Sequence, residues 1–129
     1  VYIRLIAYII NTINRHIFYN KIPKFNDITF RKIHGATREH TDGIYGGDAA
    51  REAMQERILT CIIAFNDNYT EGDIYFPNNE LKLKLNTGDI LLFPPYWTHP
   101  HYTTKPIDEY RYTSTFWFLS NETDGISLI

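Results

Sequence analysis

Ile3, Ile6, Ala7, Ile10, Ile13 and Ile17 recur at helical spacing, and Arg4, Asn11, Asn14 and Arg15 fill the other side. The spacing predicts an amphipathic helix over residues 1–20, packed on a core. Arg4 and Asn11 interrupt it too early for a membrane span, which needs about 20 mostly apolar residues. No small-residue cleavage site follows, so no signal peptide is expected. After Pro23 the pattern changes to short runs rich in β-branched and aromatic residues. Strands are predicted over Asp27–Ile33, Arg38–Asp42, Arg57–Phe65, Gly72–Phe76, Leu81–Leu85, Asp89–Phe93, Pro100–Lys105 and Arg111–Leu119. Turn formers separate them: Asn66-Asp67-Asn68, Pro77-Asn78-Asn79, Asn86-Thr87-Gly88, and Pro106 through Glu109. Leu81, Leu83 and Leu85 alternate with Lys82 and Lys84, as on a strand buried on one face.

This is a mainly β pattern of many short strands, with one supporting helix. It fits a sandwich or a barrel-like jelly roll. One stretch departs from it. Gly43 to Glu56 carries Gly46-Gly47 and then Asp48-Ala49-Ala50-Arg51-Glu52-Ala53-Met54, which favours a helical turn. A long insertion between strands is often a functional loop or lid. We expect it to fold over a substrate.

Composition narrows the class. The 129 residues and 15.2 kDa make one domain, 43% hydrophobic and 22% charged, which excludes wholesale disorder. A net charge of −2 and a pI near 6.2 leave no basic excess for non-specific nucleic-acid binding. The single cysteine, Cys61, excludes an internal disulfide framework and a cysteine-cluster zinc site, and it reads as core. The aromatic content of 16%, with ten tyrosines, strengthens the lean toward β structure. Heavy use of Ile, Asn, Lys and Tyr points to an AT-rich genome, viral or microbial, and the expected compartment is the cytoplasm. A chain that opens on Val1 reads as a processed or trimmed piece.

The five histidines, at 16, 34, 40, 99 and 101, carry the candidate chemistry. His40 and Asp42 are two apart, so on a strand both side chains aim at one point. A third ligand far along the chain would complete a two-histidine, one-carboxylate face. That set suits non-haem Fe(II) and its oxygen chemistry, with three positions left open. His99 and His101 share a face, and parity alone does not choose between them. The turn at Pro106–Glu109 predicts that the strand from Pro100 and the strand from Arg111 are hairpin neighbours. Arg111 would then lie ~10 Å from the level of His101 along the ladder. There its guanidinium could grip the far carboxylate of a chelated diacid bidentately. Thr113, on the same face, adds a hydroxyl.

The motifs stand in order. His40-Thr41-Asp42 is followed by Arg57-Ile58-Leu59-Thr60, then Glu71-Gly72-Asp73, Thr87-Gly88-Asp89-Ile90-Leu91-Leu92-Phe93-Pro94, Pro100-His101 and, ten residues on, Arg111-Tyr112-Thr113. Over roughly residues 25–119 this resembles the Fe(II)/2-oxoglutarate-dependent dioxygenases, in particular the prolyl 4-hydroxylase-like branch. The resemblance implies a double-stranded β-helix (cupin-like) barrel core over 25–119 in a single domain of 1–129. It implies Fe(II) ligands His40, Asp42 and His101, and it selects His101 over His99. It assigns the tail of 2-oxoglutarate to Arg111, with Thr113 beside it. O2 is the second cosubstrate and ascorbate a supporting reductant. Two departures stand out. Ala64 takes a place where that branch often has a tyrosine contacting 2-oxoglutarate, and Ile33-His34-Gly35-Ala36-Thr37 lacks another tyrosine. Tyr75 and His34 are candidate substitutes.

The implied reaction couples decarboxylation of 2-oxoglutarate to succinate and CO2 with hydroxylation of a C–H bond. Ile62, Phe93, Trp97 and Trp117 are the expected apolar walls. A prolyl residue in a peptide or protein is the expected substrate, with a free amino acid or small metabolite as the alternative. Asp42 argues against the halogenase variant, which leaves that position open. Trp117 stands where a nucleic-acid dealkylase of the family carries a second arginine, so no nucleic acid is an expected partner, and the interruption of the first segment at Arg4 and Asn11 leaves no membrane expected either. The rivals from other classes are a non-redox cupin-like ligand-binding barrel and a zinc hydrolase. The latter lacks an obviously spaced general-base glutamate.

Overall fold

The computed structural model describes residues 24–120. The helix expected over residues 1–20 lies outside them. The described chain is mainly β. Its elements are β1 (Lys24–Phe25), β2 (Thr29–Ile33), α1 (Asp48–Glu52), β3 (Arg57–Ala64), β4 (Thr70–Glu71), β5 (Ile74–Phe76), a 3-10 turn (Pro77–Asn79), β6 (Leu81–Leu83), β7 (Ile90–Phe93), β8 (Tyr102–Thr103), β9 (Pro106–Ile107) and β10 (Arg111–Leu119).

β10 is the spine of a large antiparallel sheet. Its nine residues pair with β3 on one side and with β1 and β2 on the other, and β7 extends the sheet beyond β3. Alternation along β10 explains why it can be so apolar. Phe116 and Phe118 are fully buried and pack with Cys61 and Ile63 on one face, joined by Phe25 at 5.8 Å from the Phe116 ring. Arg111, Thr113, Thr115 and Trp117 point to the other face. Truncating Phe116 to Ala would cost about 3–5 kcal/mol by the usual core rule. Burial pushes the Cys61 thiol up to about 12, which makes it an unreactive core residue, as its pattern predicts.

A smaller sheet, in the order β6-β5-β8, lies across from the polar face of β10. Ile74, Phe76 and Phe93 form its core with Ile62, Leu83, Leu85 and Leu91. Leu83 and Leu85 therefore take the buried face predicted for them, while Leu81 is exposed at the strand's start.

The chain from Thr37 to His40 extends this small sheet. Thr37 and Thr103 are joined backbone to backbone, and His40 and His101 exchange both backbone hydrogen bonds. Three residue steps on one strand thus match two on the other, so Arg38 and Glu39 form a bulge. The strand predicted over Arg38–Asp42 is reduced to this bridge. The helical turn predicted within Gly43–Glu56 is α1.

One predicted pairing is wrong. β8 does not form a hairpin with β10; it pairs with β5, and Pro106–Ile107 is strand β9, paired with β4. The segment after His101 thus leaves the small sheet before the chain enters the large one. Arg111 reaches the neighbourhood of His101 across the gap between sheets, not along one ladder.

Candidate metal centre

The bridge between His40 and His101 brings their rings to 4.5 Å between centroids, tilted at 54°. The bulge before His40 turns the Arg38 carbonyl onto its ring, with Nδ1 at 2.8 Å. The His99 carbonyl meets His101 Nδ1 at 3.1 Å. A carbonyl can only accept, so each Nδ1 carries the proton and each Nε2 keeps its lone pair. Both lone pairs aim at Asp42. Its Oδ1 lies 3.6 Å from His40 Nε2 and 3.5 Å from His101 Nε2. These separations are long for hydrogen bonds and close to the about 3 Å expected between donors that share one ion. Burial, chiefly, pulls the His101 pKa down, which favours the neutral ring that a metal needs.

Asp42 is held by residues that the sequence pattern did not single out as a group. Its Oδ2 accepts hydrogen bonds from Thr60 Oγ1 at 2.7 Å and Trp117 Nε1 at 3.1 Å. Arg57 Nη1 donates to its backbone carbonyl at 2.8 Å, and the Arg57 guanidinium stacks on Trp117 at 3.8 Å. One carboxylate oxygen is thereby engaged by two donors, and the other is left to face the histidines. Among the described residues, His40, Asp42 and His101 are the group whose donor atoms all lie within 4.8 Å of one another. The donor set, two neutral imidazoles and a carboxylate on one side of a site, fits Fe(II). Because such supporting partners typically tune metal affinity 10–100-fold, Thr60→Val is expected to weaken Fe(II) binding about tenfold, measured by competition with a chelator.

His99 stays outside this group. Its backbone closes a turn onto Tyr96, and its ring meets Thr98 Oγ1 at 2.8 Å.

The group opens on a cavity of about 140 Å³ lined by both sheets. Arg31, Arg111, Thr103 and Thr113 are among its polar lining residues, and Ile62, Ile74 and Trp117 are apolar walls. Arg111 is only 6% exposed, and its Nη1 donates to the Gly72 carbonyl at 3.1 Å while its Nε has no partner. Gly72 adopts φ +70°, and a Cβ there would meet Tyr69 at 3.0 Å and Pro106 at 3.2 Å, so the backbone approach that offers this carbonyl requires glycine. Burial, above all, lowers the Arg111 pKa, the mark of a desolvated cation without a carboxylate against it. A buried guanidinium in that state is costly unless an anion joins it.

Several expected contacts fall elsewhere. Trp97 is 81% exposed and lines a separate groove of about 550 Å³ with Tyr45, Arg51, Pro95 and Tyr96. Phe93 packs behind His101 at 4.8 Å and is not a cavity wall. Tyr75 points away from the cavity, stacked on Tyr102 at 4.9 Å, because Ile74 and Phe76 take the inward face of β5. His34 is exposed and packs on Tyr110, so neither substitutes for the missing tyrosines.

Residues 27–119 match the family model of the 2OG-Fe(II) oxygenase superfamily. A putative prolyl 4-hydroxylase of Acanthamoeba polyphaga mimivirus is 48% identical over 40 residues, 31% of this chain and 16% of that protein. The viral collagen prolyl hydroxylase of Paramecium bursaria Chlorella virus 1, solved as its 2OG complex, superposes with a TM-score of 0.65 at 18% identity, covering 92% of this chain and 69% of that one. A Trichoplax adhaerens prolyl hydroxylase, solved with a hypoxia inducible factor peptide fragment, superposes with a TM-score of 0.62 at 19% identity, covering 97% of this chain and 59% of that one.

Proposed function

The chain belongs to the 2OG-Fe(II) oxygenase superfamily, and on that premise we propose that it hydroxylates a prolyl residue in a peptide or protein. Fe(II) would be held by His40, Asp42 and His101, and the distal carboxylate of 2-oxoglutarate by Arg111 and Thr113. One observation carries this reading: a single cavity joins a cluster of three metal donors to a buried, partly unpartnered guanidinium. We assign the two facing sheets to a double-stranded β-helix core over residues 25–119 of a single oxygenase domain.

Bound at this cluster, Fe(II) with 2-oxoglutarate and O2 supplies a decarboxylation to succinate and CO2 coupled to hydroxylation of a C–H bond. The residues of the chain do the rest. Thr60 and Trp117 hold Asp42 so that Oδ1 faces inward. The carbonyls of Arg38 and His99 keep the Nδ1 protons and so direct both Nε2 lone pairs at the site. Arg111 orients the cosubstrate through its far carboxylate, with a charge-assisted bond that buried surroundings strengthen. Ile62, Ile74 and Trp117 limit the water around the reacting atoms.

The substrate would lie in the groove beside Asp42. Thr41 and Gly43, the sequence neighbours of Asp42, line it together with Tyr45, Tyr96 and the exposed Trp97. Aromatic walls suit a proline-containing segment, which presents a stiff apolar ridge at low ordering cost. An open groove of this size favours a peptide over a free amino acid. Two similar structures support this reading, a viral collagen prolyl hydroxylase and a prolyl hydroxylase in complex with a peptide fragment. With Fe(II), 2-oxoglutarate and air, proline-containing peptides are expected to stimulate succinate release and to gain one oxygen by mass. Trp97→Ala is expected to raise the peptide KM about tenfold, with the KM for 2-oxoglutarate unchanged. Succinate release that no proline-containing peptide stimulates would overturn the prolyl reading.

A further inference from the structure

Arg31 faces the same cavity as Arg111. On the ladder between β2 and β10, Arg31 is the partner of Thr113, and Ile33 is the partner of Arg111. Ladder partners share a face, so these four residues form one patch with the two arginines on its diagonal. All four line the cavity. Diagonal positions are within reach of long side chains.

Neither arginine is neutralised. Among the described residues, the Arg31 side chain has no hydrogen-bond or ion-pair partner, and the Arg111 side chain hydrogen-bonds the Gly72 carbonyl alone. The like charge of Arg31 adds to burial in lowering the Arg111 pKa. Tyr69 and Asp73 act on Arg111 in the opposite direction, and Asp73 is itself bridged to Lys82 at 3.2 Å. Two guanidinium groups facing one small cavity repel until an anion comes between them. On its other edge Thr113 pairs with Ala64, whose methyl offers no donor to a ligand. The polar help at this end of the cavity therefore comes from β2.

We propose that Arg31 is a second cationic arm of the carboxylate site, gripping from the cavity mouth the same distal carboxylate that Arg111 and Thr113 bind from below. The inference rests on the 2-oxoglutarate reading above and adds a residue that sets selectivity for a dicarboxylate over a monocarboxylate 2-oxo acid. Arg111 is buried and fixes the carboxylate's position. Arg31 is exposed and closes over it, so its contribution should fall as salt rises.

The test compares two ligands that differ only at the far end. Fe(II)-loaded protein is titrated anaerobically with 2-oxoglutarate and with 2-oxopentanoate, which has the same chelating group but no distal carboxylate. Arg31→Gln is expected to weaken 2-oxoglutarate about tenfold and to change 2-oxopentanoate less than twofold, and Arg31→Lys to recover part of the loss. Equal changes for both ligands, or none for either, overturn the proposal. So does an effect confined to the KM of a peptide substrate. A second titration removes iron from the question. Metal-free protein is expected to bind glutarate, about tenfold more weakly in Arg31→Gln. If that difference is found while wild-type protein fails to chelate 2-oxoglutarate, the iron reading fails and Arg31 stands. If wild-type protein binds glutarate no better than the variant, the proposal fails whatever the metal does.

Discussion

His101→Ala is expected to lower Fe(II) affinity on the order of 100-fold or more and to abolish succinate formation, while His99→Ala leaves both within a few-fold. The two histidines are two residues apart, so the contrast depends on direction alone. His101 Nε2 points at Asp42 Oδ1 from 3.5 Å, and its Nδ1 proton is held by the His99 carbonyl. The His99 ring instead meets Thr98 Oγ1 and packs at 6.2 Å from Phe76. Its role toward the site is carried by its backbone, which survives substitution. His101 is buried against Phe93, so a thermal melt belongs beside the binding measurement. A variant that melts like the parent but holds no iron is the expected pair of results. Wild-type iron affinity in His101→Ala would remove it from the ligand set.

Arg111→Met is the second large effect. Its guanidinium can give the distal carboxylate of 2-oxoglutarate two charge-assisted hydrogen bonds, each worth about 1.5–3 kcal/mol. Taken at about 3 kcal/mol together, their loss lowers 2-oxoglutarate affinity roughly 100-fold. The direction of the stability change sharpens the test. In the free protein Arg111 is a buried cation whose Nε has no partner. Replacing such a charge with an apolar chain of similar length is often neutral or stabilising. The ligand-free melting temperature is therefore expected to stay level or rise while cosubstrate affinity collapses. A large drop in melting temperature would mean that Arg111 holds the fold together, and unchanged affinity would mean that the carboxylate binds elsewhere.

Much of this was legible in the residues because short-range rules governed it. The strand pattern of β10 survives because its alternation, Arg111, Thr113, Thr115 and Trp117 against Ser114, Phe116 and Phe118, separates one polar cavity face from one core face. The spacing of His40 and Asp42 places both at one point even though the strand there is only a bridge with a bulge. What escaped depends on contacts between distant segments. The hairpin inferred between the strands from Pro100 and Arg111 assumed that neighbours in sequence pair. The chain instead crosses between sheets, and β9 pairs back with β4. Strands of two residues, such as β1, β4 and β9, carry no period to detect. Trp97 looked like a wall by composition, but only tertiary placement says that it is exposed on a rim. The grip of Thr60 and Trp117 on Asp42 joins residues 18 and 75 positions away from it, beyond any local pattern. The cationic diagonal of Arg31 and Arg111 likewise needs the register of β2 on β10.

The proposed chemistry requires iron and 2-oxoglutarate to meet in one cavity. Their anaerobic mixing with the protein tests this most directly, through the weak visible charge-transfer band of an Fe(II)–2-oxo acid chelate. The band is expected in the wild-type protein and in His99→Ala, and absent in His101→Ala. Folded wild-type protein that binds Fe(II) but develops no band on adding 2-oxoglutarate would contradict it.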